Sequence, residues 1–486
     1  MHNLDFFIGR EKEIALLKKL LESGKPEFVA VYGRRRVGKT FFIRTQLSGL
    51  IDFEVSGTYK ESKRVQLRNF ADALCKSSGD KRKTFENWQD AFFELELHLD
   101  KLLSMNKKRI VLYFDELPWF DTQRSGFVRA LDYFWNHYAS AHREIMLVVC
   151  GSATSWMINT LINDKGGLHN RVTREIHIYP FTLSETEQYL QQVGIKWPRY
   201  IITQLYMIFG GIPYYLDMLD SEETYPENID RIMFHDNAQL RTEYQRLYSS
   251  LFGSNNGYME VISLLSKHKE GLTRNEIKTA LKISENGKLS QMLADLENCD
   301  FIRYYNLKNK KIKQNSGLYQ LVDMFTIFHF AFLSKRITSQ QYWSENWRGP
   351  KISTWNGLAF ERVCMAHIPQ IKEALKISGI HTEYFSWRRK PQQPDSENEK
   401  QPGAQIDLVI ERADCMTHIC EMKFTQDEFH LTQKEYENIR RRISGYKNDT
   451  ETRNGILMTM ITTEPPAQSE YNCIIDKVVL IDDLFR

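Results

Sequence analysis

Three apolar runs dominate the N-terminal part of the chain: Phe28-Val29-Ala30-Val31-Tyr32, Ile110-Val111-Leu112-Tyr113-Phe114 and Ile145-Met146-Leu147-Val148-Val149-Cys150. Unbroken runs of this length suit parallel strands covered on both faces, because neither face needs polar residues. Elsewhere the apolar period lengthens to that of a helix, as in Ile14, Leu17, Leu20 and Leu21. Alternating strands and helices predict an α/β domain with a mainly parallel sheet over residues 1–235. Ser184 and Glu187 are expected to form a helix capping box. The helical pattern from Ile201 to Leu219, broken by Gly210-Gly211-Ile212-Pro213, predicts a small helical lid.

Over residues 236–335 the pattern predicts three helices. One covers Tyr258 to Leu265, and one follows Thr273 with Glu276 closing a capping box. The third runs from Lys288 to Leu296 with Leu289, Met292, Leu293 and Leu296 on one stripe. Two strands, Phe301–Tyr305 and Leu318–Leu321, flank a basic loop from Lys308 to Lys313. Three helices with a β-hairpin make a winged helix, which either touches DNA through its third helix and wing or packs against protein. Over residues 336–486 a helix is expected to open at Gly357, with Leu358, Glu361, Met365 and Ile368 on one stripe. Ile406–Glu411 and Thr417–Lys423 read as an antiparallel hairpin turning near Asp414, and Lys390 to Pro402 as a polar loop.

The chemistry is carried at the ends of the apolar runs. The first is followed by Gly33-Arg34-Arg35-Arg36-Val37-Gly38-Lys39-Thr40-Phe41, which has the GxxxxGK[ST] spacing of the Walker A phosphate loop. Its glycines let successive backbone N–H groups face one anion, and the helix that follows adds its positive end. Lys39 is expected to reach the β- and γ-phosphates and Thr40 to offer a hydroxyl to Mg²⁺. The second run ends in Asp115-Glu116, the Walker B pattern, with Asp115 a Mg²⁺ ligand and Glu116 polarising the attacking water. Ser152, after the third run, is either a γ-phosphate sensor or a helix cap. Gly166-Gly167-Leu168-His169-Asn170-Arg171 is a glycine-rich loop whose Arg171, or Arg174 after it, can deliver a cation to the γ-phosphate in cis or from another subunit.

Together with Ile8-Gly9-Arg10-Glu11 and Gly210-Gly211-Ile212-Pro213, these motifs resemble the archaeal-type ATPase family, P-loop proteins of the AAA+/STAND group. The resemblance implies ATP binding, regulated hydrolysis and coupling to a partner. Further on, Asp407, Glu421 and Lys423 stand in the order D-x13-E-x-K, with Asp407 opposite Glu421 in the expected hairpin and Lys423 on the same face. This resembles the PD-(D/E)xK nuclease fold, with Ile406 where that pattern has proline. The resemblance implies that Asp407, Glu421 and Glu361 hold Mg²⁺ and that Lys423 activates water. Gln433 and Tyr436 echo a further motif of such nucleases. Trp387-Arg388-Arg389-Lys390 and Arg440-Arg441-Arg442 either hold a DNA backbone or are simply solvated.

The expected architecture is thus a P-loop parallel sheet with a helical lid (1–235), a winged helix (236–335) and an α/β restriction-endonuclease-like domain (336–486). A formal net charge of +3 over 486 residues confines any DNA site to a local patch. The seven cysteines form no CxxC pair, which indicates neither a zinc ribbon nor a disulfide framework. Met1 to Asp5 has no leader-like pattern, and the apolar run Met324 to Leu333 is too short for a bilayer. A cytoplasmic protein with no membrane contact is expected, with ATP and DNA as partners and self-association as a further expectation. Three functions fit: an ATPase controlling a DNA-directed nuclease, a regulatory switch with an inactive nuclease fold, and a nucleotide-gated DNA-binding regulator.

Overall fold

The computed structural model describes residues 7–162, 171–253, 256–283, 286–306, 317–335, 337, 339–389 and 403–486. The chain divides into two compact units, Met1–Pro180 and Phe181–Arg486. The sequence places a boundary at 235. The lid helices Leu183–Gln192, Arg199–Phe209 and Pro213–Leu216 instead belong to the second unit.

In the first unit five parallel strands stand in the order β2-β3-β4-β1-β5. They are β1 Glu27–Tyr32, β2 Ile51–Ser56, β3 Ile110–Asp115, β4 Ile145–Gly151 and β5 Arg174–His177. The three apolar runs are β1, β3 and β4, the centre of the sheet, and β3 and β4 are buried along their whole length. Helices α1 Glu11–Leu21, α2 Lys39–Gln46, α3 Lys63–Ser78, α4 Trp88–Ser104 and α5 Phe127–His137 complete the unit. Ile110, Leu112 and Phe114 of β3 enter an aromatic core with Phe53, Phe70, Trp88, Phe92 and Phe134. By the two-residue alternation of a strand, Val111, Tyr113 and Asp115 leave from the opposite face.

In the second unit, helices Asn256–Ser266, Arg274–Ala280 and Asn286–Asn298 accompany a small antiparallel sheet. Its strands β6 Leu272–Thr273, β7 Ile302–Asn306 and β8 Gly317–Leu321 stand in the order β6-β8-β7. Thr273 and Glu276 make the expected capping box, and Leu289, Met292, Leu293 and Leu296 are buried as the stripe requires. The basic stretch Lys308 to Lys313 lies outside the described residues.

A mixed sheet follows: β9 Thr382–Arg389, β10 Ala404–Arg412, β11 Met416–Lys423, β12 Gly455–Thr462 and β13 Lys477–Leu480, in the order β13-β12-β11-β10-β9. β9, β10 and β11 are antiparallel neighbours, whereas β11, β12 and β13 run parallel. The helix Gln433–Thr450 makes the crossover that the parallel pair β11–β12 requires, and its Ile439 and Tyr446 pack with Trp387, Val409 and Ile419.

Two local expectations differ from the structure. The capping box is Thr182 with Glu185, because Thr182 keeps the extended backbone of an N-cap and Ser184 is already helical. The helix expected from Gly357 starts at Pro350, a favoured first helical residue, so Gly357 lies in its interior. No helix among the described residues is long and apolar enough to cross a membrane.

Candidate functional site

The parallel registers bring three strand ends to one edge. Tyr32 pairs with Gly151 and Phe114 with Val149, so Gly33, Asp115, Glu116 and Ser152 follow at the same level. This is the carboxyl edge of the sheet, where open α/β folds place ligands. Gly33 is required there: its φ is 144°, and a Cβ would stand 2.2 Å from the carbonyl oxygen of Ile178. Gly38, at φ 88°, makes the left-handed turn into α2.

Lys39 is buried, and its Nζ donates to the carbonyls of Gly33 at 2.8 Å and Arg34 at 2.9 Å. The ammonium is thereby folded back into its own loop. Thr40 Oγ1 donates to Asp115 Oδ2 at 3.1 Å, with Oδ1 at 3.3 Å. The contact joins residues 75 positions apart and puts a hydroxyl and a carboxylate, both hard oxygen donors, side by side. Such a pair fits Mg²⁺. Glu116 has a left-handed backbone at φ 48°, uncommon outside glycine. Its Oε2 accepts from Ser152 Oγ at 2.8 Å and from Ser152 N at 3.3 Å. The three loop arginines part company: Arg34 is buried, Arg35 exposed and Arg36 half-buried at φ 74°. Val37 is buried, its carbonyl accepting from Arg10 Nη2 at 2.9 Å, and Phe41 stacks on Phe7 with centroids 5.9 Å apart.

Residues 7–219 match a family described as an ATPase domain predominantly from Archaea. They form an ATPase domain of archaeal type. A curated relative, the uncharacterised protein MJECL04 of Methanocaldococcus jannaschii, is 24% identical over 340 residues, 68% of this chain and 70% of that protein. Among solved structures, the Walker-type ATPase PABY2304 of Pyrococcus abyssi matches at 16% identity and TM-score 0.47, covering 66% of this chain and 95% of that one. The ORC2 protein of Aeropyrum pernix matches at 12% identity and TM-score 0.40, covering 68% and 96%.

The ATPase domain does not bring Arg171 to this edge. β5 begins with Arg174 beside Val29, the third residue of β1. Because β1 and β5 are parallel, Arg171 precedes the strand on the side away from the phosphate loop. It is exposed, and Gly166 to Asn170 lie outside the described residues.

A second cluster lies in the C-terminal sheet. The pairs Leu408↔Cys420 to Glu411↔Thr417 turn about position 414, the register expected from sequence. Asp407 and Glu421 follow on adjacent strands one step beyond the last pair. Gln405 Nε2 donates to Asp407 Oδ1 at 2.6 Å, and Lys423 Nζ lies 3.3 Å from Glu421 Oε1. Arg442 from the crossover helix pairs with Glu421, which sequence reasoning did not foresee. Burial, then the charge of Asp407, pushes the Glu361 carboxyl up to about 7. Burial, then Glu421, raises that of Asp407. Electrostatically the three acids therefore sense one another. Even so, among the described residues no group of three or more His, Cys, Asp or Glu side chains is placed to hold a metal ion. The expected ligand set Glu361, Asp407 and Glu421 is not assembled as such, because Glu421 is turned into ion pairs with Arg442 and Lys423.

The arginine clusters also divide. Arg389 is tied to Asp449 and Gly445, and Arg442 to Glu421; Arg388 is half-buried, and Arg440 and Arg441 are exposed.

Proposed function

We propose that the protein is a Mg²⁺-dependent ATPase whose nucleotide state acts on its C-terminal unit. The observation that carries this is the Thr40–Asp115 hydrogen bond at the carboxyl sheet edge, beside Lys39 and the Glu116–Ser152 pair. ATP is the substrate: loop N–H groups and Lys39 hold its phosphates, the Lys39 ammonium exchanging the carbonyls of Gly33 and Arg34 for phosphate oxygens. Thr40 and Asp115 hold the cation, which when bound neutralises charge on the phosphates. Glu116 accepts a proton from the attacking water, and Ser152 fixes the direction of its carboxylate.

The test is to measure nucleotide binding and hydrolysis side by side. Glu116→Gln keeps ATP affinity and lowers turnover by about 10²- to 10⁴-fold. Full turnover in that variant would remove Glu116 from the mechanism.

A second reading concerns Asp407, Glu421 and Lys423, favoured by the β10–β11 register. We infer a PD-(D/E)xK-like module over residues 336–486, acting on DNA once cation binding draws Glu421 from Arg442. A winged-helix module over residues 236–335 joins it to the ATPase domain. The exposed face of the helix Asn286–Asn298 carries Lys288 but also Glu297, and β7 lies against β9, which favours protein packing over DNA contact there. Mg²⁺-dependent DNA cleavage lost in Asp407→Ala, with ATP hydrolysis retained, is the expected result. A wild-type protein that cleaves no DNA form, with or without ATP, contradicts the nuclease and leaves the regulatory switch.

A further inference from the structure

A cavity of about 540 Å³ opens in the second unit between strand β9 and the helix Arg274–Ala280 with the turn before it. His268, Glu270, Asn275, Glu276 and Thr279 line one wall, and Arg388 stands on the other. The first wall is fixed in place. The Lys269 carbonyl accepts from Gln320 Nε2 at 2.6 Å and from Arg362 Nη2 at 2.8 Å, and both donors are buried. Gly271 closes the turn at φ 85°, where a Cβ would stand 2.6 Å from the carbonyl oxygen of Tyr319. The Glu276 carboxylate is engaged in its helix cap, accepting from Thr273 N at 2.9 Å and Thr273 Oγ1 at 3.0 Å.

Arg388 differs from its neighbour. Arg389 is tied to Asp449, whereas the half-buried Arg388 makes no hydrogen bond or ion pair among the described residues. Arg388 pairs with Gln405 across β9 and β10, so the two side chains leave from one face of the sheet. Gln405 Nε2 reaches Asp407 Oδ1 at 2.6 Å, which puts that carboxylate on the same face. Diagonal neighbours on paired strands stand roughly 7–8 Å apart, so a group held at Arg388 lies within a nucleotide or two of Asp407.

The mixed sign of the lining decides what fits. A bare phosphate on Arg388 would also face Glu270, a like charge. A nucleotide spans both walls: its phosphate takes the guanidinium, and its base amino or sugar hydroxyl groups donate to Glu270 and to the side-chain oxygens of Asn275 and Thr279. The volume is that of a small-ligand cavity, about 300–1,000 Å³, which admits unstacked nucleotides and not a duplex. Exposed Lys267 and Lys269 flank His268 and add positive charge to that side.

We propose that this cavity seats a single strand of DNA, with Arg388 holding a phosphate so that the backbone runs on to Asp407. The proposal rests on the nuclease-like reading of residues 336–486, and it gives the approach of the strand to the second helix of the winged helix instead of the third.

The test is the binding of a short fluorescent single-stranded oligonucleotide of mixed sequence to the full chain, followed by anisotropy in EDTA. Arg388→Ala weakens binding about tenfold, the loss of a charge-assisted hydrogen bond. It also lowers the slope of log affinity against log salt by about 0.7, the share of one phosphate on a single strand. Arg388→Lys keeps that slope, and Lys288→Ala on the third helix binds as wild type does. A photo-crosslinking p-benzoylphenylalanine in place of Thr279 captures the strand, and in place of Lys288 it does not. Wild-type affinity and salt slope in Arg388→Ala, or no capture from position 279, overturns the proposal. So does a mononucleotide or a duplex that binds as tightly as the single strand. Failure of the nuclease reading looks different: wild type then binds the strand through Arg388 and never cleaves it when Mg²⁺ is supplied.

Discussion

Glu361 shows what a single side chain costs in this fold. It sits on the helix Pro350–Ala366 with burial and Asp407 both opposing its ionisation. A carboxyl whose folded value lies above its unfolded one binds its proton more tightly in the native state. Its contribution to stability is full below the ordinary value of 4.5 and is lost as pH rises through about 7. Glu361→Gln keeps the shape and removes the charge. It is predicted to raise the urea midpoint at pH 8 and to leave it unchanged at pH 4.5. A variant no more stable than wild type at pH 8 would mean that Glu361 has a compensating partner. The same logic made Glu361 visible in the sequence, since an acid on an apolar stripe signals a special environment. Arg442 was read as either holding a DNA backbone or simply solvated, because nothing local announces a partner 21 residues away.

Packing between elements decides how far the lid and the C-terminal sheet behave as one body. Phe424 follows Lys423 at the end of β11 and stacks on Tyr200 of the lid helix Arg199–Phe209, centroids 4.7 Å apart at 13°. It also meets Phe360, the neighbour of Glu361, at 5.2 Å. One ring thus joins the lid to the end of the strand that bears Glu421 and to the helix that bears Glu361. Arg199 adds ion pairs to Glu187 and Asp482, and the Leu183 N–H donates to His367 Nε2 at 3.0 Å. Phe424→Ala is predicted to destabilise the second unit by about 3 kcal/mol, the usual loss for a buried aromatic. A shift under about 0.5 kcal/mol, the range of surface substitutions, would contradict a bridging role. The strands β1, β3 and β4 were legible because uninterrupted apolar runs have few other uses. The helix from Pro350 was misplaced because Gly357, punctuation in a sequence, is tolerated inside a packed helix. The lid was legible as helices; the family match over residues 7–219 includes it, while its packing lies with the C-terminal unit.

Across the whole molecule, two polar centres differ in how ready they are for chemistry. At the phosphate-loop edge Lys39, Thr40, Asp115, Glu116 and Ser152 are tied by hydrogen bonds to one another and to their own loop, which the proposed nucleotide reading has ligand atoms replace. At the C-terminal sheet the acids are matched by Lys423 and Arg442, so any cation must first displace an ion pair. Local spacing in the sequence was enough for the first centre, because eight consecutive residues define the loop. For the second it gave the strand register and the acids but not their counter-ions. The nucleotide control proposed for the C-terminal unit depends on the first centre taking a nucleotide. Isothermal titration of ATP with Mg²⁺ into wild type and Lys39→Ala tests that most directly. Saturable one-to-one binding to wild type, lost in Lys39→Ala, is the predicted result; equal affinity in the two proteins would contradict the account.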